Sequence, residues 1–142
     1  MCGLVGLWDL KKRYRSSEII SLVDKMCKTL KSRGPDDQDL FVDSNYGLAL
    51  AFRRLAIIDL SIKGRQPMYS YDKRYIIVFN GEIYNHNTLR DLLNKEIVWN
   101  GHSDTETLLA CFEHWGVDKT LENLVGMYAI ALYDSVEKAL YL

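Results

Sequence analysis

Cysteine stands at position 2, and removal of Met1 would leave a thiol and a free α-amino group on one residue. Such a residue combines a nucleophile with a built-in base. The competing reading is a buried cysteine at the start of a strand, because cysteine is among the most buried residue types. Arg53 and Arg54 stand side by side directly before the apolar run Leu55-Ala56-Ile57-Ile58. Successive side chains of an extended chain face opposite ways, so one of the two arginines can point inward. An inward guanidinium needs an anion, since a buried unpaired charge is very costly. That anion is either a ligand carboxylate, which suits the forked donors, or an internal Asp or Glu. Asn80-Gly81 joins a side-chain amide to a glycine N–H, a pair able to stabilise an oxyanion. The same dipeptide is also a common hairpin turn. Asp104 sits at the start of a helix, where the helix dipole already favours a carboxylate, and it could also receive the ammonium group of a ligand.

These residues need rigid elements to hold them, and the pattern of apolar residues supplies candidates. Gly3 to Asp9 reads as a short buried strand beginning at the cysteine. Its two glycines imply close approach of another backbone or a ligand. Ser16 or Ser17 caps a helix carrying Ile19, Ile20, Val23, Cys27 and Leu30 at helical spacing, so Cys27 is a packing residue. Ser32-Arg33-Gly34-Pro35-Asp36-Asp37 ends that helix, and by its composition it is a plain exposed turn. Strands follow at Asp39 to Val42 and Gly47 to Phe52, joined by Asp43-Ser44-Asn45. Ser61 to Lys73 is a loop. Arg74 to Phe79 is a strand buried on both faces. After Asn85 a helix bears Leu89, Leu92 and Leu93. Ser103-Asp104-Thr105-Glu106 is a capping box opening a helix with Leu108, Leu109, Cys111, Phe112 and Trp115, in which Cys111 is structural. A short helix runs from Asp118 to Leu124. Met127 to Tyr133 and Ala139 to Leu142 are strands around a turn. The chain stops among apolar strand residues, and the expectation is a truncated or split chain.

Composition narrows the function. The 142 residues suffice for one domain with a real core. A net charge of -1, with no long basic run, gives no reason to expect nucleic acid as a partner. No apolar run approaches the roughly 18 residues of a membrane span, and the N-terminus lacks the plan of a signal peptide. Three cysteines without a CxxC pair suit a reducing cytoplasm better than a disulfide framework or zinc site. His86, His102 and His114 fit no metal-binding spacing, and no phosphate loop or internal repeat is present.

Seven strings occur in one order: Met1-Cys2-Gly3, Arg33-Gly34-Pro35-Asp36, Arg54-Leu55 with Ile57-Ile58-Asp59, Gln66-Pro67-Met68, Asn80 through Asn85, Ser103 through Glu106, and Gly126-Met127-Tyr128-Ala129. Together they resemble the class II glutamine amidotransferase domain over essentially the whole chain, and most closely the glutaminase domain of glutamine-hydrolysing asparagine synthetases. The domains of amidophosphoribosyltransferase and glucosamine-6-phosphate synthase look similar but depart around Asn80 to Asn85.

The resemblance implies an α+β N-terminal-nucleophile fold, an αββα sandwich of two antiparallel sheets between helical layers, with its C-terminal strands truncated. Residues 1–142 would be the glutaminase domain, incomplete at its C-terminus and lacking the synthetase domain. It implies that Cys2 is the nucleophile and its α-amino group the base, and that Asn80 and Gly81 form the oxyanion hole. Arg54 would bind the glutamine carboxylate and Asp104 its ammonium, with Leu55, Ala56, Ile57, Ile58 and Glu82 completing the pocket. The glutaminase step would need no cofactor or metal. ATP and Mg2+ would belong to the synthetase domain or subunit, which is the implied partner besides glutamine. The whole enzyme would be cytoplasmic and would make asparagine from aspartate, and a homodimer is compatible with it. Membrane and nucleic acid are not implied partners. The alternatives are a domain amidating a sugar or antibiotic precursor, and a non-catalytic relic of the fold. Ser32 stands where the family often has His, and no Ser-Gly-Gly-x-Asp-Ser loop for ATP is present. While Met1 is attached, the base is an amide nitrogen and cannot accept a proton.

Overall fold

Leu48–Arg54 is a strand in which every residue is buried, and the first sheet forms around it. In the computed structural model, which describes residues 2–56, 61–93 and 97–142, this strand is β3. It lies between β1 (Gly3–Trp8) and β2 (Asp37–Asp43), antiparallel to both. Gly3 pairs with Arg53, and Asp37 with Arg54. Alternation puts Ala49 and Ala51 on one face. Their small side chains admit helix α1 (Ser16–Thr29), whose Ile19, Val23 and Cys27 form the local core with them. Burial of Ile19 and Val23 stabilises by about 2 kcal/mol each. Val5, Leu7, Leu40 and Val42 flank this core. Leu48, Leu50 and Phe52 occupy the other face and are also buried.

One detail differs from the sequence pattern and one refines it. Arg15, rather than Ser16 or Ser17, is the residue before α1, and the Glu18 carboxylate accepts its N–H at 2.7 Å. Of the β1 glycines, Gly6 does meet another backbone, a Cβ there lying 3.1 Å from the Ala49 carbonyl and 2.8 Å from Leu50, whereas a Cβ on Gly3 would touch the Leu30 side chain.

The second sheet has the order β4-β5-β6-β7, with antiparallel neighbours. Its strands are β4 (Met68–Tyr69), β5 (Tyr75–Ile83), β6 (Gly126–Asp134) and β7 (Ala139–Tyr141). The expected loop from Ser61 to Lys73 therefore contains β4 and a short 3-10 turn at Ile62–Gly64. β5 also runs past Phe79 through Asn80-Gly81 to Ile83, so this dipeptide is neither a hairpin nor a strand end. Tyr75, Ile77, Phe79 and Ile83 share a face. They pack with Leu89 of α2 (His86–Leu92) and Leu108, Leu109, Cys111 and Phe112 of α3 (Asp104–Trp115). Helix α4 (Val117–Glu122) follows directly, after Gly116 at φ 78°.

By internal contacts the chain separates into two units, Met1–Ala56 with Arg65–Pro67, and Ile57–Gly64 with Met68–Leu142. The observed class is the expected one, α+β with two antiparallel sheets. No helix among the described residues is long and apolar enough to cross a membrane.

Candidate active site

Cys2 is half-buried at the start of β1. Pairing of β1 with β3 carries it to the residue after Arg54. There the Leu55 N–H donates to the Cys2 sulfur at 3.3 Å, and the thiol reaches the Leu55 carbonyl at 3.6 Å. The thiol thus bridges the N–H and the carbonyl of one residue. The string Arg33-Gly34-Pro35-Asp36, expected to be a plain turn, holds both partners in place. The Arg33 Nε–H donates to the Cys2 carbonyl at 3.0 Å. The Asp36 carboxylate accepts the Ala56 N–H at 2.8 Å, and the Asp36 N–H donates to the Arg54 carbonyl at 3.0 Å. Gly34 lies so close to the Arg53 peptide that an added Cβ would overlap the Arg53 carbonyl. Sequence reasoning assigned Arg33 and Asp36 no role of their own, because Gly-Pro after a helix is ordinary punctuation.

Both arginines are buried, Arg53 7% and Arg54 9% exposed. The acceptors of Arg53 are neutral: the Gly34 carbonyl at 2.7 Å and the Gln38 amide oxygen at 2.8 Å. Among the described residues Arg53 is therefore paired with no internal carboxylate. Alternation places Arg54 on the opposite face of β3, the face of Phe52. Leu55 and Ala56 are half-buried. Ile57 and Ile58 lie outside the described residues.

In the second unit β5 delivers its last polar residues to an accessible end. Tyr75 to Phe79 are buried, Asn80 is half-buried, and Gly81 and Glu82 are exposed. They face Ala129, Tyr128 and Met127 of β6. β4 pairs only with Ile77 and Ile76, so among the described residues no strand covers the opposite edge of β5 from Val78 onward. Asp104 reaches that edge. Its carboxylate accepts the Ile83 N–H at 3.0 Å. Backbone N–H groups alternate between the two edges of a strand, so the Gly81 N–H points to the same edge as that of Ile83. Asp104 and the Gly81 N–H are thereby brought to one edge. A Cβ at Gly81 would overlap the Met127 carbonyl, which restricts the position to glycine.

The start of α3 also departs from a complete capping box. Ser103 caps as expected, its hydroxyl accepting the Glu106 N–H at 3.2 Å. The Glu106 carboxylate instead takes the N–H groups of Asn100 at 2.7 Å and Gly101 at 3.0 Å. Among the described residues no group of three or more His, Cys, Asp or Glu is placed to hold a metal ion. His114 bonds the Ala110 carbonyl within its own helix at 2.9 Å.

Comparison with known proteins adds a family to this geometry. The family model described as glutamine amidotransferase domain matches residues 1–142. Glutamine-hydrolyzing asparagine synthetase 1 of Bacillus subtilis (strain 168) is 37% identical over 99% of this chain and 22% of its own length. Asparagine synthetase B of Escherichia coli (strain K12), also glutamine-hydrolyzing, is 36% identical over 100% of this chain and 24% of its own length. For asparagine synthetase 2 of Bacillus subtilis (strain 168) the figures are 32%, 100% and 18%. The chain thus spans about a quarter or less of the length of these relatives. With a family model matched from its first residue to its last, this chain belongs to the glutamine amidotransferase domain family.

Proposed function

We propose that this domain hydrolyses glutamine to glutamate and ammonia through a thioester on Cys2, and that in the complete protein the ammonia serves ATP-dependent synthesis of asparagine from aspartate. The observation that carries the reading is the seating of the Cys2 thiol on the Leu55 peptide, one residue beyond the buried Arg54. The nucleophile is thereby bonded to the residue that directly follows a cation of a type suited to a substrate carboxylate. The relatives' names, all glutamine-hydrolyzing asparagine synthetases, support the substrate and the acceptor.

The chemistry follows from the residues. Once Met1 is removed, the α-amino group of Cys2, with an ordinary pKa of roughly 7.7–8.0, is a base poised near working pH. It takes the thiol proton as sulfur attacks the amide carbon of the substrate. The oxyanion so formed is stabilised by the Asn80 amide and the Gly81 N–H. The α-ammonium returns its proton to the leaving nitrogen, ammonia departs, and a γ-glutamyl thioester remains. Water, deprotonated by the same amine, cleaves the thioester to glutamate and free thiol. Arg54 binds the substrate α-carboxylate and Asp104 its α-ammonium, an opposed pair suited to a zwitterion. In this proposal Leu55, Ala56, Ile57, Ile58 and Glu82 are the remaining glutamine-binding residues. ATP and Mg2+ belong, in this proposal, to a synthetase portion beyond this domain, and the protein works in the cytoplasm.

The test is Cys2→Ala in the complete protein. Ammonia release from glutamine is expected to vanish while synthesis driven by added ammonia survives. Wild-type ammonia release by that variant would sink the mechanism. The mass of the mature N-terminus is the companion measurement. Retention of Met1 in a fully active protein would exclude the α-amino base.

A further inference from the structure

Arg90 belongs to α2, yet its guanidinium is given over to the segment that leads into α3. Nε–H donates to the Thr107 hydroxyl at 2.7 Å, Nη1 to the Gly101 carbonyl at 3.1 Å, and Nη2 to the Ser103 carbonyl at 3.0 Å. Nη2 also meets the Glu106 carboxylate at 3.4 Å. The plane is stacked 4.0 Å from the centre of the Trp99 ring. Only 14% of the side chain is exposed. Thr107 is fully buried, and its hydroxyl passes the chain of bonds on to the Ser103 carbonyl at 3.3 Å. Arg90, Thr107 and Ser103 therefore close a ring of hydrogen bonds around the carbonyl of the residue that caps α3. The next residue is Asp104.

Burial pushes the Arg90 guanidinium below its ordinary pKa, and the charges of Glu106 and Asp104 push it back. The cation is therefore held among groups of the same turn. If Arg90 only fastened α2 to α3, its acceptors could lie anywhere along the helix. Instead every acceptor it has among the described residues lies between Gly101 and Thr107, within one helical turn of Asp104.

We propose that Arg90 is the positioning residue for Asp104: by fixing the Ser103 carbonyl it holds the first turn of α3 so that Asp104 presents its carboxylate beside the Ile83 N–H, on the Gly81 edge of β5, and it thereby sets the affinity for the substrate ammonium. This rests on the reading of Asp104 as the ammonium partner given above. The planar fork is essential to the argument. A lysine at this position keeps the charge but cannot bond Thr107, Gly101 and Ser103 at once while stacking on Trp99.

The experiment compares two amides in the complete, processed protein: glutamine, and 4-carbamoylbutyrate, which carries the same amide without an α-ammonium. Ammonia release is followed for wild type, Asp104→Ala, Arg90→Lys, Arg90→Met and Thr107→Val. Asp104→Ala is expected to lose the preference for glutamine over the des-amino amide. Arg90→Lys and Arg90→Met are expected to raise the glutamine KM about tenfold or more with kcat changed less than about threefold, and to leave kcat/KM for the des-amino amide within about threefold of wild type. Thr107→Val shifts the same quantity less. An equal loss for both substrates would mean that Arg90 only supports the fold and would overturn the proposal. So would an unchanged glutamine KM in the Arg90 variants alongside a damaged Asp104→Ala. Should Arg90→Met fail to fold, Arg90→Lys and Thr107→Val decide between the same outcomes. Retention of the preference in Asp104→Ala would overturn the ammonium reading itself, and the role of Arg90 with it.

Discussion

At the scale of single residues, three thiols occupy three environments. Cys2 is half-buried and engages the Leu55 peptide, Cys27 is buried and reaches the Phe52 carbonyl at 3.6 Å, and Cys111 is buried within α3. Burial pushes the Cys111 thiol up to about 12, and it also raises Cys27. Because the thiolate is the reactive form, iodoacetamide at about pH 8 is expected to alkylate Cys2 in the folded protein and to spare Cys27 and Cys111 until the chain unfolds. Peptide mass mapping reads the result, and labelling of Cys111 at the rate of Cys2 would contradict it. The same shift has a stability consequence. A thiol raised from 9.0 to about 12 in the fold stabilises fully below 9.0, and that contribution is lost as pH rises from there towards 12. The helical spacing of Cys27 and Cys111 already marked them as packing residues. The spacing around Cys2 said nothing of Leu55, because the two meet only when β1 pairs with β3.

At the scale of elements, the join between α1 and β3 governs how Cys2 is held. The Gly34 N–H donates to the Leu30 carbonyl at 3.2 Å, ending the helix, and its own carbonyl receives Arg53 at 2.7 Å. With a Cβ overlapping the Arg53 peptide, Gly34→Ala must displace backbone rather than a flexible side chain. Such overpacking costs about 1–3 kcal/mol, so thermal unfolding of Gly34→Ala should show a loss at the upper end of that range. An unchanged melting temperature would show that the turn relaxes freely. The sequence made Gly34 visible as a helix stop, but not as the seat of β3. The acceptors of Arg53 were hidden for a similar reason: the Gly34 carbonyl and Gln38 are set by tertiary approach, and no charge pattern announces a neutral partner. Asn80-Gly81 shows local preference overridden. A dipeptide that favours turns is drawn into a strand by its pairing with Tyr128 and Ala129.

At the scale of the whole molecule, stability towards acid is tied to an ion pair between a half-exposed arginine and a buried carboxylate. Arg74 grips Asp134 with Nε at 2.9 Å and Nη2 at 2.6 Å, and the Asp134 side chain is 1% exposed. Burial pushes the Asp134 carboxyl up, but Arg74 and the N–H groups of Glu137 and Val136 outweigh it and hold the group below its ordinary 3.8. A depressed carboxyl stabilises the fold above its unfolded pKa, and that stability is lost as pH falls through the folded value. Asp134→Asn is therefore expected to destabilise the protein at pH 7 and to flatten the decline of stability below about pH 4. Parallel urea titrations of the two proteins across that range are the measurement, and parallel acid limbs would refute the assignment. By itself the sequence determined most helices and strands and the packing cysteines, because periodicity and capping are local properties of the chain, and its ordered set of motifs carried the resemblance that implied the α+β class. Only the tertiary structure decided that the thiol of Cys2 rests on the Leu55 peptide, that Arg33 and Asp36 hold the strand ends there, and that Asp104 shares an edge with the Gly81 N–H. Those contacts join residues 20 to 53 positions apart or depend on which edge of a strand lies open. Strand register and edge exposure are set by the whole chain at once, so no local pattern encodes them.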